Sequence, residues 1–194
     1  MFFWLTRSLK YTIDNFRNNF FNILNSNNIE YDIYLHTYNL KVLTNTRSKE
    51  FNCNLDTEEY CLLNPCEFII EDQDEFDKTF DYEKVKKYGD YYNDNFCSIY
   101  NLIRQLNSLK KVSSLIKKKN YDKYIFLRPD LLLENKFNIN LIKKNYNFNF
   151  INTPSDQKWN GLNDRFAICN YYSFIKYSER IDYIDEYIKN YGKL

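Results

Sequence analysis

The chain has 194 residues with 27 basic and 26 acidic side chains, so it lacks the basic excess expected of a nucleic-acid binder. Aromatic residues make up 19%, which argues against a disordered chain and gives one domain over residues 1–194 enough apolar surface for a core. No apolar run approaches the ~20 residues that span a bilayer, and Met1-Phe2-Phe3-Trp4-Leu5 is cut off by Thr6-Arg7 without the pattern of a signal peptide. The expectation is a soluble, cytoplasmic protein with no membrane span and no nucleic-acid partner.

Phe2 to Leu5 reads as a first strand, and Ile13, Phe16, Phe20, Phe21 and Leu24 repeat with helical spacing from Leu9 to Leu24. Tyr31 to Thr37 alternates like a second strand, which makes a βαβ unit with a right-handed crossover. Asn39 to Glu59 has no clear period and reads as a long loop, of a length usually kept for a function. Glu67 to Glu71 is a third strand, and Asp72 to Tyr92 is partly helical. The strongest helix covers Asp94 to Lys118, with Phe96, Ile99, Ile103, Leu106, Leu109, Val112 and Ile116 on one face. Lys117-Lys118-Lys119 at its end suits a solvated terminus that complements the macrodipole. Then come a strand at Tyr124 to Leu127, a weak helix near Leu141, a strand-like Phe148 to Ile151, and a closing helix from Tyr172 to Tyr191. Alternating strands and helices place the chain in the α/β class, with a mostly parallel central sheet flanked by helices.

Several chemistries are disfavoured. The five cysteines form no C-x-x-C pair, so zinc spacing is lacking and reduced thiols are expected. His36 is the sole histidine, and nothing in the sequence supports a Ser-His-Asp or Cys-His site running through it. Gly89, Gly161 and Gly192 are too few and misplaced for a phosphate loop, which ranks dinucleotide and nucleotidyl-transfer chemistry last.

Polar residues at strand ends carry the functional reading. Thr6-Arg7, His36-Thr37 and Arg128-Pro129-Asp130 each end an apolar strand; parallel strands would line these ends along one crevice. Arginine grips a diphosphate by forked hydrogen bonds, and a carboxylate such as Asp130 can hold a bridging divalent ion. Arg128 and Asp130 equally suit a structural ion pair, Arg7 a solvated cap, His36 a hydrogen-bonded core or rim residue, and Arg104-Gln105 either surface or a nucleotide contact. A second cluster, Trp159-Asn160-Gly161-Leu162-Asn163-Asp164-Arg165, combines an aromatic, a glycine and a carboxylate. That combination suits sugar recognition, by ring stacking, close backbone approach and proton acceptance. A tight turn with a capping Asp is the simpler alternative.

In order, Thr6-Arg7, Tyr31 to Thr37, Arg104 to Lys110, Tyr121 to Asp130 and Asn163 to Ile168 resemble the small GT-A-type glycosyltransferase domains of large DNA viruses, including those that glycosylate capsid proteins. The likeness covers nearly the whole chain. It implies a GT-A-like, Rossmann-type fold, a nucleotide-sugar donor (most often a uridine diphosphate sugar), a glycan or glycoprotein acceptor, Mn²⁺ or Mg²⁺, and the host cytoplasm if the protein is viral. Where such enzymes carry Asp-x-Asp this chain reads Arg128-Pro129-Asp130, so only the second carboxylate is present. Arg128 then supplies part of the missing positive charge, or Asp72 or Asp74 completes a metal site. On this resemblance Asp130 is the metal ligand, and Asp130 and Asp164 are the catalytic acids. Thr6, Arg7, His36, Thr37, Arg104, Arg128, Trp159, Asn163 and Arg165 surround the nucleotide-sugar.

Overall fold

The computed structural model describes residues 1–45, 49–117, 119–144, 148–156 and 163–192. The strands are β1 (Phe2–Phe3), β2 (Tyr34–Tyr38), β3 (Val42–Asn45), β4 (Glu50–Asn54), β5 (Glu67–Glu71), β6 (Tyr124–Leu127), β7 (Ile151–Asn152) and β8 (Phe166–Cys169). Six of them form a central sheet in the order β5-β2-β1-β6-β8-β7, and β3 pairs with β4 in a separate hairpin. β5, β2, β1 and β6 run parallel; β8 runs antiparallel to both β6 and β7. The chain is therefore a mixed α/β protein with a mostly parallel sheet flanked by helices.

Parallel strands covered on both faces need apolar residues on both, and the alternation is visible. Phe2, Leu35 and Leu127 pack beneath α1 (Leu9–Phe16) with Leu9, Ile13 and Phe16. Phe3, Tyr34 and Phe126 face the other way, onto Ile103, Leu106 and Leu109 of α5 (Cys97–Ser114). The same layer holds Phe174 of α7 (Tyr171–Ser178) and Ile184 and Ile188 of α8 (Ile184–Tyr191).

Several elements differ from the sequence expectations: the strand-like Phe148 to Ile151 is reduced to β7 at Ile151–Asn152, and β8 forms at Phe166–Cys169 where no strand was expected. The helix over Leu9 to Leu24 is interrupted: a wide π turn, Arg17–Phe21, separates α1 from α2 (Asn22–Ser26). The extra residue in that turn lets consecutive Phe20 and Phe21 both reach the core, Phe20 against Phe137 and Phe21 against Phe2. The long helix starts at Cys97 because Phe96 sits in the left-handed region at φ 62° and the Asp94 carboxylate accepts from the Ser98 N–H. The expected loop from Asn39 to Glu59 contains the β3–β4 hairpin, whose mostly exposed, polar residues give no apolar alternation. The closing helix breaks at a 3₁₀ turn, Arg180–Tyr183, which redirects the chain so that Ile184 and Ile188 return to the core. Shorter helices occupy the remaining connections: α3 (Gln73–Thr79), α4 (Glu83–Lys86) and α6 (Asn140–Lys143). The five cysteines are free thiols. No helix among the described residues is long and apolar enough to cross a membrane.

Candidate functional site

The chain builds β1, β2 and β5 outward in one direction, then places β6 on the opposite side of β1. That reversal leaves a crevice outside the carboxyl ends of β1 and β6, where ligands of open parallel sheets bind.

β1 leaves the sheet at Trp4, whose φ of 82° is a left-handed conformation that bulky side chains seldom adopt. Its N–H donates to Ser108 Oγ at 2.7 Å. Thr6 is buried, and its carbonyl accepts from Leu9 N at 2.8 Å to start α1. Arg7 reaches from there to Glu50 on β4. Between the β1 end, β3 and α5 lies an open cavity of about 380 Å³, lined by Trp4, Arg7, Leu43, Thr44, Tyr100 and Arg104 among others.

Arg128 leaves β6 on the other side of the crevice, its N–H donating to the Arg165 carbonyl at 2.9 Å. Pro129 is fastened to α1 by Thr12 Oγ1, which donates to its carbonyl at 2.6 Å. The turn folds Asp130 back beneath Arg128, and the guanidinium clasps both carboxylate oxygens, with Nε at 2.9 Å from Oδ1. Arg128 Nη1 also donates to Gln105 Oε1 at 3.4 Å and stands 3.8 Å from Asp164 Oδ2. Gln105 completes the group by donating Nε2–H to the same Asp164 oxygen at 2.9 Å. Asp130 and Asp164, 34 residues apart in sequence, thus meet on one guanidinium. Asn163 shapes the turn that presents Asp164, with its Oδ1 accepting from Arg165 N at 2.9 Å.

The remaining residues expected at the site divide. Arg104, the α5 neighbour of Gln105, lines the cavity and is forked onto Asp77, with Nε at 3.0 Å from Oδ1. Burial lowers the tendency of Arg104 to stay charged, but Asp77 outweighs it and the net shift is upward. Trp159 and its Gly161 lead-in lie outside the described residues. His36 and Thr37 do not line the crevice, a correction to the sequence expectation: both sit within β2, which runs on to Tyr38, and both are buried. Asp72 and Asp74 are likewise placed away from Asp130. Asp72 caps α3 at the end of β5, three places from β6 in the sheet and roughly 14 Å off at the usual strand spacing.

His36 has another role. Its Nδ1 lies 2.8 Å from Ser108 Oγ and its Nε2 3.2 Å from Glu71 Oε2. Asn107 joins by donating to Glu71 Oε2 at 2.6 Å and to the Tyr38 hydroxyl at 2.9 Å, while Lys111 pairs with Glu71 Oε1 at 2.8 Å. Serine, histidine and glutamate in a row resemble a hydrolase triad. Yet Ser108 and His36 are both 0% exposed, and Ser108 Oγ is committed to Trp4, so no substrate carbonyl can approach. The row is a buried polar spine that braces β1, β2, β5 and α5. Burial pushes the His36 pKa below its ordinary value, against the pull of Glu71. Burial would raise that of Glu71, but hydrogen bonds from His36 and Lys111 prevail and hold it down at about 2.

A helix N-terminus beside a crevice is a ready anion site. Here that place at α1 is filled from within: the buried Glu59 carboxylate accepts from Lys10 N at 3.2 Å and pairs with Lys10 Nζ at 3.3 Å. The donor set also fits a divalent cation poorly, because Asp130 gives both oxygens to Arg128 and Asp164 faces the same guanidinium. Among the described residues no cluster of three or more acidic, histidine or cysteine side chains is placed to hold a metal. The cations placed here are Arg7 and Arg104 in the cavity wall and Arg128 at the end of β6, each paired with a carboxylate that an anion would have to displace.

Gln105 was expected at the surface or against a nucleotide, while Asn107 and Ser108, though within the Arg104 to Lys110 stretch, had no role assigned. A signal for two of them existed: Gln105 and Ser108 fall in phase with Val112 and hence with the apolar face of α5, where a polar residue must find a buried partner.

No family model matches the chain, and no curated protein and no solved structure does either. Function has to be argued from the site itself.

Proposed function

We propose that the chain is a GT-A-type glycosyltransferase, moving a sugar from a nucleoside-diphosphate donor, uridine diphosphate foremost, to a hydroxyl of a glycan or glycoprotein acceptor. The observation that carries this reading is Arg128 at the switch point of the sheet, clasping Asp130 and facing Asp164. A diphosphate entering the crevice competes with Asp130 for the guanidinium fork, which suits phosphate as well as carboxylate. Arg128 then neutralises charge on the leaving diphosphate as the bond from the anomeric carbon to its phosphate oxygen breaks. Asp164, steadied by Gln105, takes the proton of the attacking acceptor hydroxyl in an inverting transfer. The cavity beside Trp4, of a size usual for ligand sites, receives the nucleoside, with Arg7 and Arg104 at its wall. With the α1 N-terminus filled by Glu59, this reading routes the phosphates to arginine side chains.

Calorimetry with uridine diphosphate and its sugars, with and without Mn²⁺, tests the reading. Binding of the nucleotide, followed by donor hydrolysis that Asp164→Ala suppresses, supports it. No binding in either condition, or undiminished hydrolysis by both Asp130→Ala and Asp164→Ala, removes it. One observation favours a second reading, a catalytically silent glycan-binding module: Asp130 is already neutralised by Arg128. Such a module binds a glycan with no requirement for nucleotide.

A further inference from the structure

The two edges of the central sheet are unlike. β7 ends one side with only two residues, whereas β5 ends the other with five, paired to β2 along its whole length. The Glu71 carbonyl accepts from Asn39 at 2.8 Å, on the β2 side. By strand alternation the peptide groups of Glu67, Ile69 and Glu71 face β2, and those of Phe68 and Ile70 face outward. Among the described residues no strand covers that outer edge. Of the usual devices that blunt an edge, β5 carries only charge, in Glu67 and Glu71. It contains no proline or lysine, and each of its carboxylates is paired with a lysine, Glu67 with Lys119 beyond the end of α5 at 2.6 Å and Glu71 with Lys111 of α5 at 2.8 Å. On the opposite face Phe68 and Ile70 are 47% and 40% exposed, and the Phe68 ring lies against that of Tyr60.

We infer that β5 pairs with β5 of a second copy of this chain, antiparallel about a two-fold axis through Ile69, joining the two sheets into one. The register is self-complementary. With Ile69 opposite Ile69 of the second copy, Phe68 lies opposite Ile70, and each such pair exchanges N–H and C=O bonds. All the outward groups of both strands are then satisfied. On the exposed face each Phe68 packs against the other copy's Ile70, an aromatic against a β-branched side chain, a favourable cross-strand pair. On the α5 face Glu67 lies opposite Glu71. Their like charges are offset because each brings its own lysine, Lys119 with one and Lys111 with the other. A symmetric dimer of this isologous kind is the commonest closed assembly.

Sedimentation equilibrium and light scattering on the full chain test the inference, together with a cross-link specific to the register. The wild type is expected to show twice the chain mass, and Ile70→Lys to raise the dimer dissociation constant by about tenfold or more while keeping the far-ultraviolet circular dichroism of the wild type. Residues facing each other at a non-hydrogen-bonded antiparallel pair lie within disulfide reach. Ile69→Cys in a Cys66→Ser background should therefore form an intermolecular disulfide under mild oxidation, and lose it when Ile70→Lys is added. A wild type that stays at single-chain mass through the high micromolar range overturns the proposal. So does an Ile70→Lys variant as dimeric as the wild type. A dimer that never cross-links through position 69 overturns the register.

Discussion

Ser108 Oγ accepts the backbone N–H of Trp4 at 2.7 Å, joining residues 104 apart in sequence at the point where β1 turns out of the sheet. The left-handed Trp4 backbone is unfavourable by about 1–3 kcal/mol for a bulky residue, so it persists only because its surroundings over-determine it. Ser108→Ala removes the acceptor and strands a buried N–H, which costs about 1–3 kcal/mol. Urea denaturation should show that loss as a lower midpoint at constant slope. A midpoint within experimental error of the wild type would mean that Ser108 does not hold Trp4 in place.

The spine beneath that bond predicts a two-step response to acid. His36 is buried neutral with its pKa below the ordinary ~6.5, so the unfolded chain takes up a proton there first. Stability from this group is complete above about 6.5 and falls as pH drops below it, with a slope of at most about 1.4 kcal/mol per pH unit. Glu71, held down from 4.5 to about 2, adds stability that is complete above 4.5 and is lost as pH falls toward 2. Both groups act in the same direction, so acid weakens the fold in two successive windows. Urea midpoints measured from pH 7.5 downward check this. The His36→Gln variant should flatten the loss that begins below about pH 6.5 and leave the window below 4.5 in place. An unchanged slope in that variant would show that another group dominates.

The apolar half of the fold was legible because its residues follow the periods of the elements they form. Phe2 and Phe3, Tyr124, Phe126 and Leu127, and the Ile103, Leu106 and Leu109 stripe all announced buried strands or a one-sided helix, and all are in the core. The hairpin β3–β4 left no trace because its residues are mostly polar and its faces mostly solvated. β8 was not expected as a strand, since Phe166 to Cys169 is too short an apolar run to show a period, and its antiparallel sense leaves no mark in such a run. At the site, the cluster of Arg128, Asp130 and Asp164 was legible from charged residues abutting apolar runs. His36 and Thr37 were expected at a strand end because the polar-apolar alternation closes at Thr37, whereas β2 runs on to Tyr38. Two more residues of β2 follow His36, and its Nδ1 meets the hydroxyl of a serine on a helix 72 positions later. Glu59 was invisible as a cap, because it reaches α1 from a 3₁₀ turn 49 residues downstream.

Glu59 is 3% exposed and holds the start of α1, where Ser8 makes no side-chain cap. Glu59→Ala should lower stability by about 1 kcal/mol for the lost cap alone, more if the buried site does not collapse. Thermal or urea unfolding measures this. The same variant frees the helix N-terminus, so it should bind sulfate or phosphate more tightly than the wild type in a thermal-shift titration. Equal anion response in both proteins would show that Glu59 does not occupy an anion site.

Arg128 and Asp164 separate binding from chemistry if the proposed transfer is correct. Arg128→Lys keeps the charge but loses the fork that spans both oxygens of Asp130, so nucleoside diphosphate affinity should fall by about tenfold in calorimetry. Asp164→Asn keeps an oxygen that can accept from Gln105 but cannot take a proton from the acceptor hydroxyl. It should bind the donor as the wild type does while transfer slows by about 10²–10⁴-fold, the usual worth of a positioned general base. The two losses fall on different measurements because Arg128 touches the leaving diphosphate in either state, and Asp164 acts only as the hydroxyl attacks. Should Asp164→Asn weaken donor binding as much as it slows transfer, Asp164 would be an element of the donor pocket and the proton would need another acceptor.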